Sequence, residues 1–138
     1  MTQINTYIGF NGKCREAMTF YQECLGGELS LQTFEDSPIA AQCPAGAEHQ
    51  ILHSSLTKGA LVLLGSDMVG PDGYTFGNNV NLCLNCSSEE EINTFYSKLS
   101  EGGRIIGPLK VEFWGALFGT FADKFGISWM LIYDKNQQ

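Results

Sequence analysis

REAMTFYQECLGGEL, residues 15–29, and EEEINTFYSKLSEGGRI, residues 89–105, are two copies of one pattern, and their agreement decides the fold. Phe20-Tyr21 returns as Phe95-Tyr96 at a shift of 75 residues, and Gly26-Gly27 returns as Gly102-Gly103 at a shift of 76, so one inserted residue separates the copies. Both stretches have the period of an amphipathic helix. Ala17, Phe20, Tyr21 and Cys24 fall at i, i+3, i+4, i+7, as do Ile92, Phe95, Tyr96 and Leu99. Ser88 followed three residues later by Glu91 is a capping-box pattern that places acids in the positive first turn of the second helix. The Gly-Gly closing each copy supplies a left-handed helix end.

Outward from the helices, the flanking segments also correspond. A short strand-like run precedes each helix, INTYIGF and then NVNLCLN. Three more follow each helix: ELSLQTF, HQILHSSL and ALVLLGS in the first half, RIIGPLKVEF, ALFGTFA and ISWMLIY in the second. The order is βαβββ twice, an α+β fold. One domain spans 1–138, with modules at about 1–66 and 78–138 joined by a Gly-rich loop, 67–77. A strand, a helix and three strands cannot close a core alone. Two such units are therefore expected to pair into one curved mixed sheet around a cleft, with helices on the convex side. The concave side would meet a ligand or another chain.

Composition bounds the function. The chain has 138 residues, 43% hydrophobic and 17% charged, which are globular values. A net charge of -7 with only eight Lys and Arg argues against nucleic acid and against anionic membranes. No apolar run has the length of a bilayer span, and MTQINTYIGFNGK lacks a basic segment followed by an apolar one, so a cytoplasmic protein is expected. Five cysteines cannot all pair internally, and free thiols are expected. Cys83 and Cys86 form a CLNC spacing, but on a strand such positions point to opposite faces, and no second pair completes a zinc site.

The doubled module resembles the vicinal oxygen chelate superfamily of glyoxalases, extradiol dioxygenases and bleomycin-resistance proteins, and within it the PhnB-like branch. The resemblance is carried by FNGKCREAMTFY with LGGE, ILHSSL with LVLLGSD, SEEE with SEGG, and FWGALFG with DKFGISWM, in that order along nearly the whole chain. It implies two paired modules around a cleft, usually in a homodimer. It also implies, in metal-dependent members, one divalent ion held by four His, Glu or Gln side chains from the first and fourth strands of each module.

On an ungapped register those positions fall at Thr6 (or Asn5 or Tyr7), near Leu63 to Gly65, at Asn81 and at Met130. That is a poor set for a divalent ion, so no metal cofactor is expected. His49 and His53 in HQILH have the spacing of a helical zinc motif, but Gln50 stands where a glutamate is needed. On a strand the two would also lie roughly 13 Å apart. His53 alone reads either as a hydrogen-bonded structural residue or as a polar anchor or general base at a pocket wall.

Alternation sorts the remaining candidates. Met130, Ser128 and Ile132 share one face of the last strand, with Trp129, Leu131 and Tyr133 on the other. Asn81, Cys83 and Asn85 are assigned to the cleft, and Val80, Leu82 and Leu84 to the core. Trp114, beside Gly115 at a turn, is a cleft or interface candidate, and one of Phe118 and Phe121 must face the cleft. Ser66, Asp67, Gly70, Pro71, Asp72 and Gly73 have turn chemistry, as a solvated connector or as a lid. The ligand-binding set is thus His53, Asn81, Trp114, Phe118 and Met130.

The function favoured is metal-free binding of a small molecule by a homodimer. A metal-dependent isomerase, lyase or dioxygenase using His53 is the alternative, and a purely structural dimer a further one. A quinone-biosynthesis methyltransferase is disfavoured, since no Gly-rich loop between strand and helix of an alternating β/α sheet marks an S-adenosylmethionine site.

Overall fold

The computed structural model describes residues 2–43, 45–69 and 72–135; of the loop residues singled out above, Gly70 and Pro71 lie outside them. The chain divides into two compact units, Met1–Thr75 and Phe76–Gln138, taken in turn below. The first holds β1 (Thr6–Gly9), α1 (Cys14–Leu25), β2 (Glu28–Thr33), a 3-10 turn (Ala40–Gln42), β3 (Ile51–Lys58) and β4 (Leu61–Ser66). The second holds β5 (Leu82–Asn85), α2 (Glu89–Ser100), β6 (Arg104–Val111), β7 (Leu117–Ala122) and β8 (Ser128–Tyr133). Each unit is one helix with one four-stranded mixed sheet, so the doubled βαβββ order is observed.

The repetition extends to topology. The sheet orders are β1-β4-β3-β2 and β5-β8-β7-β6, with the first and last strands of each unit parallel and the other neighbours antiparallel. The parallel pair needs a crossover, and the helix with two intervening strands supplies it.

In the first unit α1 buries Cys14, Ala17, Met18, Tyr21, Cys24 and Leu25. The stripe is wider than the heptad positions suggested, and Phe20 sits at its half-buried margin. Facing it across the sheet are Ile8, Leu56, Leu63 and Ser54. Ser54 is buried with its hydroxyl satisfied, donating to the Gly65 carbonyl at 2.9 Å and lying 3.3 Å from Cys14 Sγ. An extra residue, Leu52, stands between the partners of Gln32 and Thr33, bulging β3. The bulge turns Ile51 into the core, fully buried. Ser66 Oγ ties down the bulged strand by donating to the Leu52 carbonyl at 2.7 Å.

The buried carboxylate of Asp67 joins three segments. Its Oδ1 accepts from the Gly12 and Cys14 amides at 2.7 and 2.8 Å, and its Oδ2 from the Ile51 amide at 2.9 Å. Lys13 at the start of α1 makes no side-chain cap, so Asp67 caps that helix from the end of β4. The other end of α1 is held by Lys58 Nζ, which donates to the Leu25 carbonyl at 2.7 Å.

In the second unit α2 is capped locally, as its sequence indicates. The Glu91 amide donates to Ser88 Oγ at 3.0 Å, and Glu91 Oε1 accepts from the Ser87 amide at 2.8 Å. Ile92 and Leu99 are fully buried, while Phe95 and Tyr96 are half-buried. Tyr96 packs edge-on to Phe121, with centroids 5.2 Å apart, and donates its hydroxyl to the Gly107 carbonyl at 3.0 Å. Phe121 in turn stacks on Trp129, whose indole N–H donates to the buried Asp123 at 2.8 Å. Trp129 is therefore core. Gly119 is required by this packing: a Cβ there would lie 2.6 Å from the Tyr96 ring.

No helix among the described residues is long and apolar enough to cross a membrane.

Replacing Asp67 by Ala removes three charge-assisted hydrogen bonds, two of them buried, and should destabilise the protein by about 2–4 kcal/mol in denaturant unfolding. Ser88→Ala removes one cap bond and should cost about 1 kcal/mol. If D67A were no more costly than S88A, the linking role of Asp67 would be wrong.

None of the five cysteines is in a disulfide; Cys14, Cys24 and Cys86 are buried and Cys83 is exposed. Burial pushes the Cys14 thiol up to about 11 and Cys86 up to about 12, the nearby Glu91 adding to the second, and desolvation also raises Cys83. Only the thiolate alkylates. In native protein iodoacetamide should modify Cys83 ahead of Cys14 and Cys86. The Cys83 rate should rise with pH through the alkaline range, because desolvation holds its thiol above the ordinary value and only the thiolate reacts. Peptide mass spectrometry after timed quenching reads both.

Candidate functional site

A single helix covers one face of each sheet, and strand pairing fixes which side chains occupy the other. In the first unit Tyr7 pairs with Leu64 and Leu64 with Ser55, while Gln32 pairs with His53. These side chains lie opposite to Ile8, Leu63 and Ser54, which face α1. Tyr7 and His53 come together on this helix-free face, ring centroids 6.2 Å apart and tilted by 36°. Both are exposed, and among the described residues the His53 imidazole makes no hydrogen bond, which disfavours a structural, hydrogen-bonded role. His49 lies outside β3 in the preceding loop, with Nδ1 3.6 Å from Glu35 at the surface.

In the second unit the helix-free face carries Cys83 and Asn85 of β5, Ser128, Met130 and Ile132 of β8, and Phe118, Thr120 and Ala122 of β7. Register decides the open choice between two phenylalanines. Phe118 pairs with Ile132 on this face, whereas Phe121 pairs with Trp129 and is fully buried in the core. Trp114 belongs to the turn between β6 and β7, closed by the Glu112 amide to the Ala116 carbonyl at 2.9 Å and by Gly115 at φ 94°. Its ring folds onto Phe118, centroids 5.7 Å apart at 62°, and stays 45% exposed. Phe118 and Trp114 thus form an aromatic pair on the face that also carries Met130.

Three placements correct the sequence expectation. Asn81 precedes β5 and is exposed, and the residue paired with Met130 is Cys83. Val80, assigned to the core, is 71% exposed, because β5 starts only at Leu82. In β1 it is Tyr7, the alternative to Thr6, that faces away from the helix, since Thr6 pairs with the buried Leu63. Sequence reasoning passed over Tyr7 as a partner for His53, and Cys83 as the neighbour of Met130.

The positions at which a metal-using relative would present its ligands are therefore Tyr7 and Leu64 in one unit, Cys83 and Met130 in the other. A phenol, an isobutyl group, a thiol with a raised pKa and a thioether do not fit a divalent ion that is bound by carboxylate and imidazole. Among the described residues no three His, Cys, Asp or Glu side chains are grouped closely enough to hold a metal ion.

The chain matches the family model described as 3-demethylubiquinone-9 3-methyltransferase over residues 2–132. It is 30% identical to Protein YjdN of Escherichia coli (strain K12), over 97% of both chains. Its structure is similar to that of protein PA1353 from Pseudomonas aeruginosa, with a TM-score of 0.84 at 37% identity over 97% of this chain and 98% of that one. It is also similar to the PhnB protein from Bacillus cereus, at 0.77 and 30% identity over 96% and 100%. A glyoxalase-related enzyme from Fulvimarina pelagi shares the fold at a TM-score of 0.64 and 18% identity, over 97% and 89% of the two chains. Two βαβββ units in this order, matched over nearly the full length, place the chain in the PhnB-like 3-demethylubiquinone-9 3-methyltransferase family, whose structural neighbours are members of the glyoxalase/bleomycin resistance/dioxygenase superfamily.

Proposed function

We propose that this protein binds a small organic molecule on the helix-free faces of its sheets without a metal ion, as a cytoplasmic homodimer. The observation that carries this is the side-chain set that pairing presents there. In the second unit Cys83, Met130, Phe118 and Trp114 offer soft, apolar and aromatic surface, and in the first, taken by itself, Tyr7 stands beside the His53 imidazole. Such a set favours van der Waals and stacking contact over coordination of a hard ion. Five cysteines, none of them in a disulfide, agree with a reducing compartment. Ile106 and Val111, 52% and 67% exposed on the edge strand β6, favour contact with a second chain.

The family description speaks of methyl transfer, and the described fold gives that activity little support. β1 is joined to α1 by residues 10–13, with the single glycine Gly12, and the sheet is mixed rather than an alternating β/α array. Fold membership alone does not carry an activity.

Metal-free binding is tested by thermal unfolding with Ni²⁺, Fe²⁺ and Mn²⁺. An ion bound a hundredfold above its Kd would stabilise by about 2.7 kcal/mol. No shift in Tm is expected, nor stoichiometric metal in the purified protein. A clear shift with one ion, together with turnover, would establish the metal-dependent isomerase, lyase or dioxygenase instead. Trp114→Ala should leave unfolding free energy within about 0.5 kcal/mol, the side chain being partly exposed, while abolishing the emission change caused by aromatic ligands. Light scattering settles the dimer.

A further inference from the structure

The second unit's helix-free face contains more than apolar surface. β6 forms its edge, and two of the eight cationic side chains in the chain, Arg104 and Lys110, stand on it. Pairing shows that they share the face with the aromatic pair: Lys110 is opposite Phe118, and Arg104 is opposite Ala122. Both are exposed. Among the described residues neither makes an ion pair, although Glu112 lies two residues beyond Lys110. In a chain of net charge -7 an uncompensated cation beside a half-exposed Trp-Phe pair is electrostatically out of character for the surface around it.

The spacing narrows the ligand's charge. Ala122 lies four residues along β7 from Phe118, so the two cations sit roughly 13 Å apart and cannot clasp one phosphate together. Lys110 offers a single point charge beside the ring pair. A planar ring lying against Trp114 and Phe118 with one carboxylate projecting towards β6 satisfies both features. Resting on the small-molecule reading above, we infer that this face selects aromatic monocarboxylates, with Lys110 as the residue that discriminates the acid from its neutral analogues. Arg104 strengthens the positive field along the same edge.

The test compares 2-naphthoate with 2-naphthamide, which has the same ring and shape but no charge, by calorimetry and Trp emission on the full chain. The acid should bind roughly fivefold more tightly than the amide, the size expected of one exposed ion pair. That preference should vanish in Lys110→Gln and on raising NaCl, and should persist in Lys98→Gln, which removes an equal charge from α2. Equal affinity for acid and amide in the unmodified protein would overturn the inference while leaving small-molecule binding intact. Binding of neither probe would overturn both. A preference that survives K110Q would also overturn it, by placing the anion elsewhere.

Discussion

One helix of 12 residues can cover only one face of a four-stranded sheet, and the remainder of this structure follows from that shortage. Each strand must split its side chains between a face that the helix seals and a face that it does not. On the sealed face of the second sheet Phe121, Trp129 and Leu131 are buried under α2, each such side chain contributing about 1.5–3 kcal/mol. On the other face no side chain of β7 or β8 is fully buried, yet Phe118, Met130 and Ile132 are apolar. A merely solvated sheet face would carry polar residues at those positions. Their apolar character is what connects the architecture to binding.

Each unit has one buried carboxylate that fastens its own segments to one another. Asp67 caps α1 and fastens β3 to β4, and Asp123 accepts from the Phe125 and Ile127 amides and the Trp129 indole. They occupy different points in the two repeats, one after the last strand and one before it. The repeats therefore share strand order without sharing fastenings. α2 carries its own cap in Ser88 and has no need of a distant one, whereas α1 begins with Lys13 and depends on Asp67. D67A would accordingly disturb the first unit while leaving the local cap of the second in place.

The parts of this fold legible in the sequence are those governed by local periodicity. Helix positions, the Ser88 cap and the two faces of β8 depend on residues close together in the chain, whereas the left-handed helix ends expected of the Gly-Gly pairs are not formed: Gly26 closes α1 at φ 82° and ψ -171°, and the extended Glu101 closes α2. What else escaped depends on pairing between distant segments. The ungapped register puts Asn81 at the ligand position before α2, on the same face as Met130, but the parallel register of β5 with β8 puts Cys83 beside Met130, and a slip of two residues leaves the alternation unchanged and so undetectable by pattern. Thr6 and Tyr7 differ by one residue and hence by a whole face, and only the pairing of Thr6 with Leu63 decides between them. Phe118 and Phe121 are separated by the same logic, with Gly119 marking where the Tyr96 ring presses on β7. Packing of Trp114 on Phe118 is a turn conformation, which no period encodes.

The candidate chemistry turns on these registers. A metal-binding relative concentrates hard donors at the first and fourth strands, where a parallel pair brings two side chains side by side on the helix-free face. In this chain that pairing puts Tyr7 beside Leu64 and Cys83 beside Met130. Sulfur, aromatic and aliphatic groups are polarisable and weakly solvated, so they gain most from an apolar ring and least from a hydrated divalent cation. Activating water or polarising a carbonyl through an ion is therefore the step this side-chain set supports worst. The basic groups on these faces are an exposed imidazole at His53 in the first unit and the Lys110 and Arg104 cations in the second. An imidazole is the side chain best suited to exchange a proton near neutral pH.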